Sequence, residues 1–330
     1  MKICIVGAGA IGGLVGARLA AVGDAQVSVL ARGATLASLR SNGWRVRHGD
    51  SVLQVPAQAS ESANELGAQD LVIVAVKGPA LTEVARAIGP LLGPATMVMP
   101  AMNGVPWWFG DGVAALGGSP LESVDPGGTV GAAIATERVV GCVVHMAAST
   151  PEPGLVLHKM GQGLIIGEAR GAKSDRVQGV ANVLAKAGFD VTHSADVRRD
   201  IWYKLWGNLT MNPVSAMTGA TGDRILADPL VMTLCHNAMR EASVIGAKLG
   251  CPVDQTPEDR SKITAGLGVF KTSMLQDVEA GRAIELDAIV GVVQELGMRL
   301  GVATPNVDAI FGLARLFGRV HGLYPDSPPR

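Results

Sequence analysis

The chain has 330 residues, with 28 lysines and arginines against 29 aspartates and glutamates, and 48% of it is hydrophobic. That is length for about two domains, with too much apolar content for a disordered polymer. A formal net charge of -1 and 4% aromatic residues supply neither the basic field nor the stacking platforms that nucleic-acid binding needs.

The first predicted strand, Lys2 to Val6, runs into Gly7-Ala8-Gly9-Ala10-Ile11-Gly12. Residues 13–22 have the small, apolar composition of a helix packed on a sheet, with Gly23 as its C-cap. A second strand covers Gln26 to Ala31, and residues 44–55 read as a β-ribbon. Leu71–Val76 is the near-continuous apolar run of a parallel strand buried on both faces, and Lys77 follows it. Thr96–Pro100 is another strand, leading into Ala101-Met102-Asn103-Gly104. Strand and helix signals alternating in this way predict an α/β fold with a doubly wound sheet.

Further on, Val139–Ala147, Gly154–His158 and Gly163–Ile166 read as strands separated by Gly and Pro turns. A helix over 174–187 and a strand over Asp190–His193 close this half. From Asp196 the signals are helical: 197–217, 227–249, 258–280, 282–300 and near 305–317, then a frayed tail from Tyr324 to Arg330. The boundary falls near residue 195, giving domains of 1–195 and 196–330, the second all-helical. Its long apolar helices offer a surface for a homodimer.

No apolar run reaches the ~18 residues of a membrane span. Cys4, Cys142, Cys235 and Cys251 form no C-x-x-C pair and sit in apolar runs, as buried thiols of a reducing compartment do. With no signal peptide in the sequence, the expected setting is cytoplasmic, with no nucleic-acid or membrane partner.

The G-x-G-x-x-G of Gly7, Gly9 and Gly12 follows a strand and opens a helix, the context that makes the pattern a dinucleotide fingerprint. The first Gly allows the tight turn, the second lets a pyrophosphate approach the backbone, and the third lets helix and strand pack closely. The N-terminal domain therefore reads as Rossmann-type. An NAD site usually places an acid about 20 residues past the glycines, on the ribose 2′-OH. Here Val29-Leu30-Ala31 ends instead in Arg32, which can pair with a 2′-phosphate. NADP(H) is the predicted cofactor.

Ligands of open α/β sheets bind at the carboxyl ends of the strands, where Lys77 and Asn103 stand. In the helical half, Lys204, Asn208 and Asn212 are spaced i, i+4, i+8 and share one stripe. Pro213 is expected to kink or end that helix. Ser273 and Glu285 would not share a face of one straight helix, and Gly281 is a candidate boundary between them. His145, His158 and His193 read as structural. The chain carries no plausible metal cluster, and no G-x-S-x-G elbow of a serine hydrolase.

Together these residues resemble the 2-dehydropantoate 2-reductase (ketopantoate reductase) family over nearly the whole chain. The resemblance lies in the glycine loop, Val76-Lys77, Met102-Asn103-Gly104, the Lys204/Asn208/Asn212-Pro213 helix, and Ser273-Met274-Leu275-Gln276-Asp277 with Glu285. It implies NADPH-dependent reduction of 2-dehydropantoate to (R)-pantoate, a step towards pantothenate and coenzyme A. By position it implies that Gly7, Ala8, Gly9, Ala10, Ile11, Gly12, Arg32 and Lys77 bind NADP, that Asn103 touches cofactor and substrate, and that Ala147 lies beside the cofactor. Lys204 is implied as proton donor, Asn208, Asn212 and Ser273 as substrate ligands, and Glu285 as a catalytic group on the cofactor side. The chemistry agrees: hydride delivery to a ketone builds negative charge on its oxygen, which a positioned ammonium stabilises and protonates.

One departure bears on the substrate. Gly222 stands where the family often has a further Asn, and Trp107-Trp108-Phe109 add bulk after Asn103. A related reductase of another 2-keto acid therefore stays open as an alternative. A non-catalytic NADPH sensor is disfavoured, because a sensor has no need of a proton donor.

Overall fold

The computed structural model describes residues 1–326. Its strands are β1 (Lys2–Val6), β2 (Gln26–Leu30), β3 (Trp44–His48), β4 (Ser51–Val55), β5 (Gln58–Ser60), β6 (Gln69–Val74), β7 (Leu92–Pro100), β8 (Val140–Glu152), β9 (Leu155–Glu168) and β10 (Asp190–His193). The α-helices are α1 (Ala10–Val22), α2 (Gly33–Asn42), α3 (Ala63–Leu66), α4 (Leu81–Ala87), α5 (Thr129–Ala133) and α6 (Asp175–Lys186), then α7 (Val197–Thr218), α8 (Gly222–Ala227), α9 (Pro229–Lys248), α10 (Pro257–Ala265), α11 (Ser273–Glu279), α12 (Val292–Leu300) and α13 (Pro305–Val320). The chain divides into two units: Met1–Met102 with Thr129–Asp200, and Asn103–Gly128 with Ile201 onward. The single break expected near 195 thus becomes an exchange of segments. Residues 103–128 belong with the helices because their apolar wedge is buried there: Phe109 stacks on Trp202, ring centroids 5.9 Å apart.

In the first unit, β5-β2-β1-β6-β7 form a parallel sheet. The chain winds outward from β1 to β2 and β5 on one side, and to β6 and β7 on the other. Its winding direction reverses beside β1, so the crevice at that strand's carboxyl end is where such a sheet takes a ligand. The second sheet runs β10-β9-β3-β4, with β8 antiparallel to β9. Two strands expected at 154–158 and 163–166 are one continuous β9. Gly161, at φ +74, bends the ladder without ending it: a Cβ there would lie 2.5 Å from the His145 carbonyl oxygen, the mark of a bulge.

Helix α1 packs on β1 and β2 of the first sheet and on β3, β8 and β9 of the second. That explains a helix whose only charged residue is Arg18. Added Cβ atoms would lie 2.6 Å from Val156 at Gly13 and 2.3 Å from the Trp44 ring at Gly16, so small residues set the distance to the second sheet.

The second unit departs from expectation in four places. Pro213 neither ends nor interrupts α7, which continues to Thr218; buried Val214, Ser215 and Ala216 hold the last turn despite the missing N–H. The helix expected over 258–280 splits into α10 and α11, and the Thr272 hydroxyl caps the second by accepting from Leu275 N. The helix expected from 282 begins only with a π-turn over Asp287–Gly291. The tail expected to fray is docked at its start: the Tyr324 hydroxyl donates to Asp287 and Arg319 donates to the Pro325 carbonyl. Residues 327–330 of that tail lie outside the described residues.

All four cysteines are buried and free, and burial pushes the thiols of Cys4 and Cys235 up to about 11. Native protein should therefore react with a thiol reagent at neutral pH only as fast as it unfolds, while denatured protein titrates four thiols at once. Among the described residues no helix is long and apolar enough to cross a membrane.

Candidate active site

The β1–α1 loop opens a cavity of about 500 Å³ in the first unit, lined among others by Gly7, Ala8, Gly9, Arg32, Thr35 and Val76. Gly7 turns at φ +90, with no room for a Cβ, which would lie 2.6 Å from Val76. Gly9 is the opposite case: nothing lies within 4 Å of its would-be Cβ. It is the N-cap of α1, no side chain caps that terminus, and no acid stands in the first turn. The helix therefore presents N–H groups and the positive end of its dipole to the cavity, as an anion site requires. Gly12 packs rather than lines: its Cβ would lie 2.0 Å from the Gly7 carbonyl oxygen. Ala10 and Ile11 likewise belong to the helix and not to the wall.

Arg32 is the N-cap residue of α2, at the cavity rim. Its guanidinium pairs with Glu83, with side chains 70% and 65% exposed. The hydrogen bond from Arg32, then its charge, holds the Glu83 carboxyl below the usual carboxylate range. So exposed a pair is weak, and Arg32 can exchange Glu83 for a phosphate. Thr35 sits one turn into α2 on the same wall. Lys77 precedes the short 3-10 turn Gly78–Ala80, between the lining residues Val76 and Ala80. Sequence reasoning did not anticipate one wall of the cavity, Thr150 to Gly154 from the β8–β9 hairpin. Its Thr, Pro and Gly residues read only as a turn. Ala147 lies three residues before this segment and is not among the lining residues.

In the second unit, α7 carries Lys204 and Asn208 half-buried and Asn212 buried. The Lys204 ammonium donates to the Asn103 amide oxygen at 2.8 Å. The buried Nδ2 of Asn212 has no hydrogen-bond partner among the described residues. An unsatisfied buried donor costs about 1–3 kcal/mol, so this stripe is shaped for a polar ligand. Asn103 is held from behind: the next residue, Gly104, has φ +82, and Val105 N–H donates to the Ala288 carbonyl at 2.8 Å. Glu285 sits in the irregular stretch just before the π-turn that supplies this carbonyl. Ser273 is exposed at the first position of α11. It and Glu285 thus lie on separate elements.

Trp107, Trp108 and Phe109 are buried in the core, so their bulk serves anchoring. Position 222 is filled by another residue: a Cβ on Gly222 would lie 2.2 Å from the Phe270 ring, and Gly222 N–H donates to the Phe270 carbonyl at 2.9 Å. An aromatic ring occupies the space of the family's frequent amide.

Comparison with known proteins places these features in a family. Two family models match: "Ketopantoate reductase PanE/ApbA" over residues 3–171 and "Ketopantoate reductase PanE/ApbA C terminal" over residues 196–317. A 2-dehydropantoate 2-reductase of Mesorhizobium japonicum is 43% identical, over 98% of this chain and 100% of its own. A crystal structure from Ralstonia solanacearum, assigned as a ketopantoate reductase, superimposes with a TM-score of 0.93 at 51% identity, covering 98% of this chain and 99% of its own. D-mandelate dehydrogenase, solved with NADH and anilino(oxo)acetate, shares the fold at a TM-score of 0.83 and 18% identity, over 98% of this chain and 100% of its own.

Proposed function

Since the chain belongs to the ketopantoate reductase family, and is thereby an oxidoreductase acting on CH–OH groups with a nicotinamide dinucleotide, we propose that it reduces 2-dehydropantoate to (R)-pantoate with NADPH. The observation that carries the reading is the Lys204–Asn103 hydrogen bond of 2.8 Å, at the head of a stripe that ends in the unpartnered Asn212 amide.

The cavity of Gly7, Gly9 and Arg32 would hold the nicotinamide dinucleotide, which when bound would supply the hydride for the keto carbon. The chain's own residues do the rest. Lys204 holds a proton where negative charge develops on the ketone oxygen, then transfers it there. Asn103 accepts from the ammonium and so fixes its direction. Asn208 and Asn212 present amides that can meet hydroxyl and carboxylate groups in either hydrogen-bond sense. Ser273 adds a hydroxyl for the substrate, and Glu285 is a further catalytic group of the same unit.

NADPH is favoured over NADH because the rim of the cavity offers Arg32 and Thr35, and β2 ends without an acid. Arg32→Asp should move the ratio of kcat/KM for NADPH over NADH by at least about 100-fold towards NADH, the loss of one charge-assisted pair and the gain of a repulsion. A variant that keeps its NADPH preference would assign the 2′-phosphate to other residues.

The deciding experiment is steady-state NADPH oxidation with 2-dehydropantoate, alongside NADH and a panel of 2-keto acids. Rapid, NADPH-selective turnover of 2-dehydropantoate supports the reading. The Phe270 ring against Gly222 favours a second one, in which a less polar 2-keto acid is the better substrate; higher kcat/KM for such an acid would select it.

A further inference from the structure

The C-terminal segment reaches the Lys204 region by a route that the reading above does not use. After α13 the chain turns back, and Leu323 N–H donates to the Gly318 carbonyl at 2.7 Å. The Leu323 carbonyl then accepts from Ile284 N–H at 3.0 Å, and the Tyr324 hydroxyl donates to Asp287 Oδ1 at 2.6 Å. Ile284 and Asp287 bracket Glu285, so the tail grips the Glu285 segment on both sides.

From Asp287 the backbone widens into the π-turn Asp287–Gly291. Such a turn is rare and is found frequently at functional sites. Its Ala288 carbonyl accepts from Val105 N–H at 2.8 Å, and a Cβ on Gly104 would lie 2.3 Å from that same oxygen. Two residues before Val105, the Asn103 amide oxygen receives the Lys204 ammonium. A continuous path of short contacts therefore joins Tyr324, Asp287, Ala288, Val105, Asn103 and Lys204.

We propose that Tyr324 is a positioning residue for the reduction: its hydroxyl, acting through Asp287, fixes the π-turn and with it the placement of Glu285, Asn103 and Lys204. The proposal rests on the reading that these three residues serve the reaction. The Tyr324–Asp287 contact is suited to the task. Burial raises the Asp287 carboxyl, and burial together with the Asp287 hydrogen bond raises the Tyr324 phenol. Arg315 is the charged neighbour felt by both groups, and the Arg319 guanidinium lies over the Tyr324 ring at 5.9 Å. A half-buried carboxyl without its donor would be left unsatisfied, and the segment it anchors would relax.

The test uses the full chain with Tyr324→Phe, Asp287→Asn and Asp287→Ala. Tyr324→Phe keeps the ring and removes only the donor. Its kcat should fall about tenfold or more, with KM for the keto acid and the Kd for NADPH within about twofold, since a misplaced proton donor costs rate and not binding. Asp287→Asn keeps an oxygen that accepts the phenol and should retain kcat within about threefold, whereas Asp287→Ala should behave as Tyr324→Phe. A readout independent of turnover is the rate at which acetic anhydride modifies Lys204, followed by peptide mass spectrometry. It should change several-fold in Tyr324→Phe and not in Asp287→Asn. Wild-type kcat and wild-type Lys204 reactivity in Tyr324→Phe would overturn the proposal. So would an equal loss in Asp287→Asn, which would mark a general structural latch. Failure of the wild type to reduce 2-dehydropantoate would count against the proposed substrate alone, because the Lys204 modification rates still decide the role of Tyr324.

Discussion

Replacing Lys204 by alanine should lower kcat by about 10³-fold or more, with kcat/KM falling by a similar factor and the Kd for NADPH within about twofold of wild type. General-acid catalysis contributes typically 10²–10⁴-fold, and one preorganised donor at a developing oxyanion about 10²–10³-fold. A single ammonium that does both sets the expected loss. The cofactor cavity is lined entirely by residues of the first unit, whereas Lys204 belongs to the second and pairs with Asn103 of that same unit. Binding of NADPH and delivery of the proton are therefore separable in this chain. Asn103→Ala should give a smaller loss of the same kind, because the ammonium would be present but undirected. Stopped-flow single turnovers with saturating NADPH measure the chemical step directly. Unchanged turnover in Lys204→Ala would move the proton donor elsewhere and remove the basis for assigning Asn208 and Asn212 to the substrate.

The parts of this arrangement that were legible in the sequence are those carried by a single element. The glycine loop was legible because strand, turn and helix are consecutive, and the parallel sheet because β1 and β6 carry the unbroken apolar runs Ile3–Val6 and Leu71–Val74. Lys204, Asn208 and Asn212 were legible because one helical period links them. What residue spacing alone did not reveal was assembled across long stretches of chain. The Asn103–Lys204 hydrogen bond spans 101 residues, and only the family resemblance brought its two ends into one site. The Thr150–Gly154 wall comes from a hairpin far along the chain from the glycine loop, and no motif links the two. The tail misled: Pro325, Pro328 and Pro329 suggested fraying, yet Tyr324 ahead of them finds a half-buried acceptor 37 residues upstream. Pro213 misled in the opposite direction, because buried neighbours outweighed a local rule.

The second large effect separates packing from ligand space within the six residues of the glycine loop. Gly12→Ala would place a Cβ 2.0 Å from the Gly7 carbonyl oxygen, 3.0 Å from Ala75 and 3.1 Å from Ile5. The Gly7 oxygen is backbone and the Ala75 Cβ has no rotamer to change, so two of the three contacts cannot rotate away. Overpacking of this kind costs about 1–3 kcal/mol, and here the strain falls on the loop that must cradle the pyrophosphate. The variant should melt several degrees lower and bind NADPH more than about 100-fold more weakly. Gly9→Ala should do the reverse. No atom lies within 4 Å of its added Cβ, and its φ of -74° and ψ of -156° are extended backbone. The melting temperature should therefore stay at the wild-type value, while the methyl group occupies the space above the α1 N-terminus and raises the NADPH Kd about tenfold or more. Calorimetry of the two proteins, each titrated with NADPH, tests both halves together. If Gly9→Ala binds as tightly as wild type, the phosphates do not sit over α1. If Gly12→Ala is as stable as wild type, the close approach of helix and strand is not what holds this loop in shape.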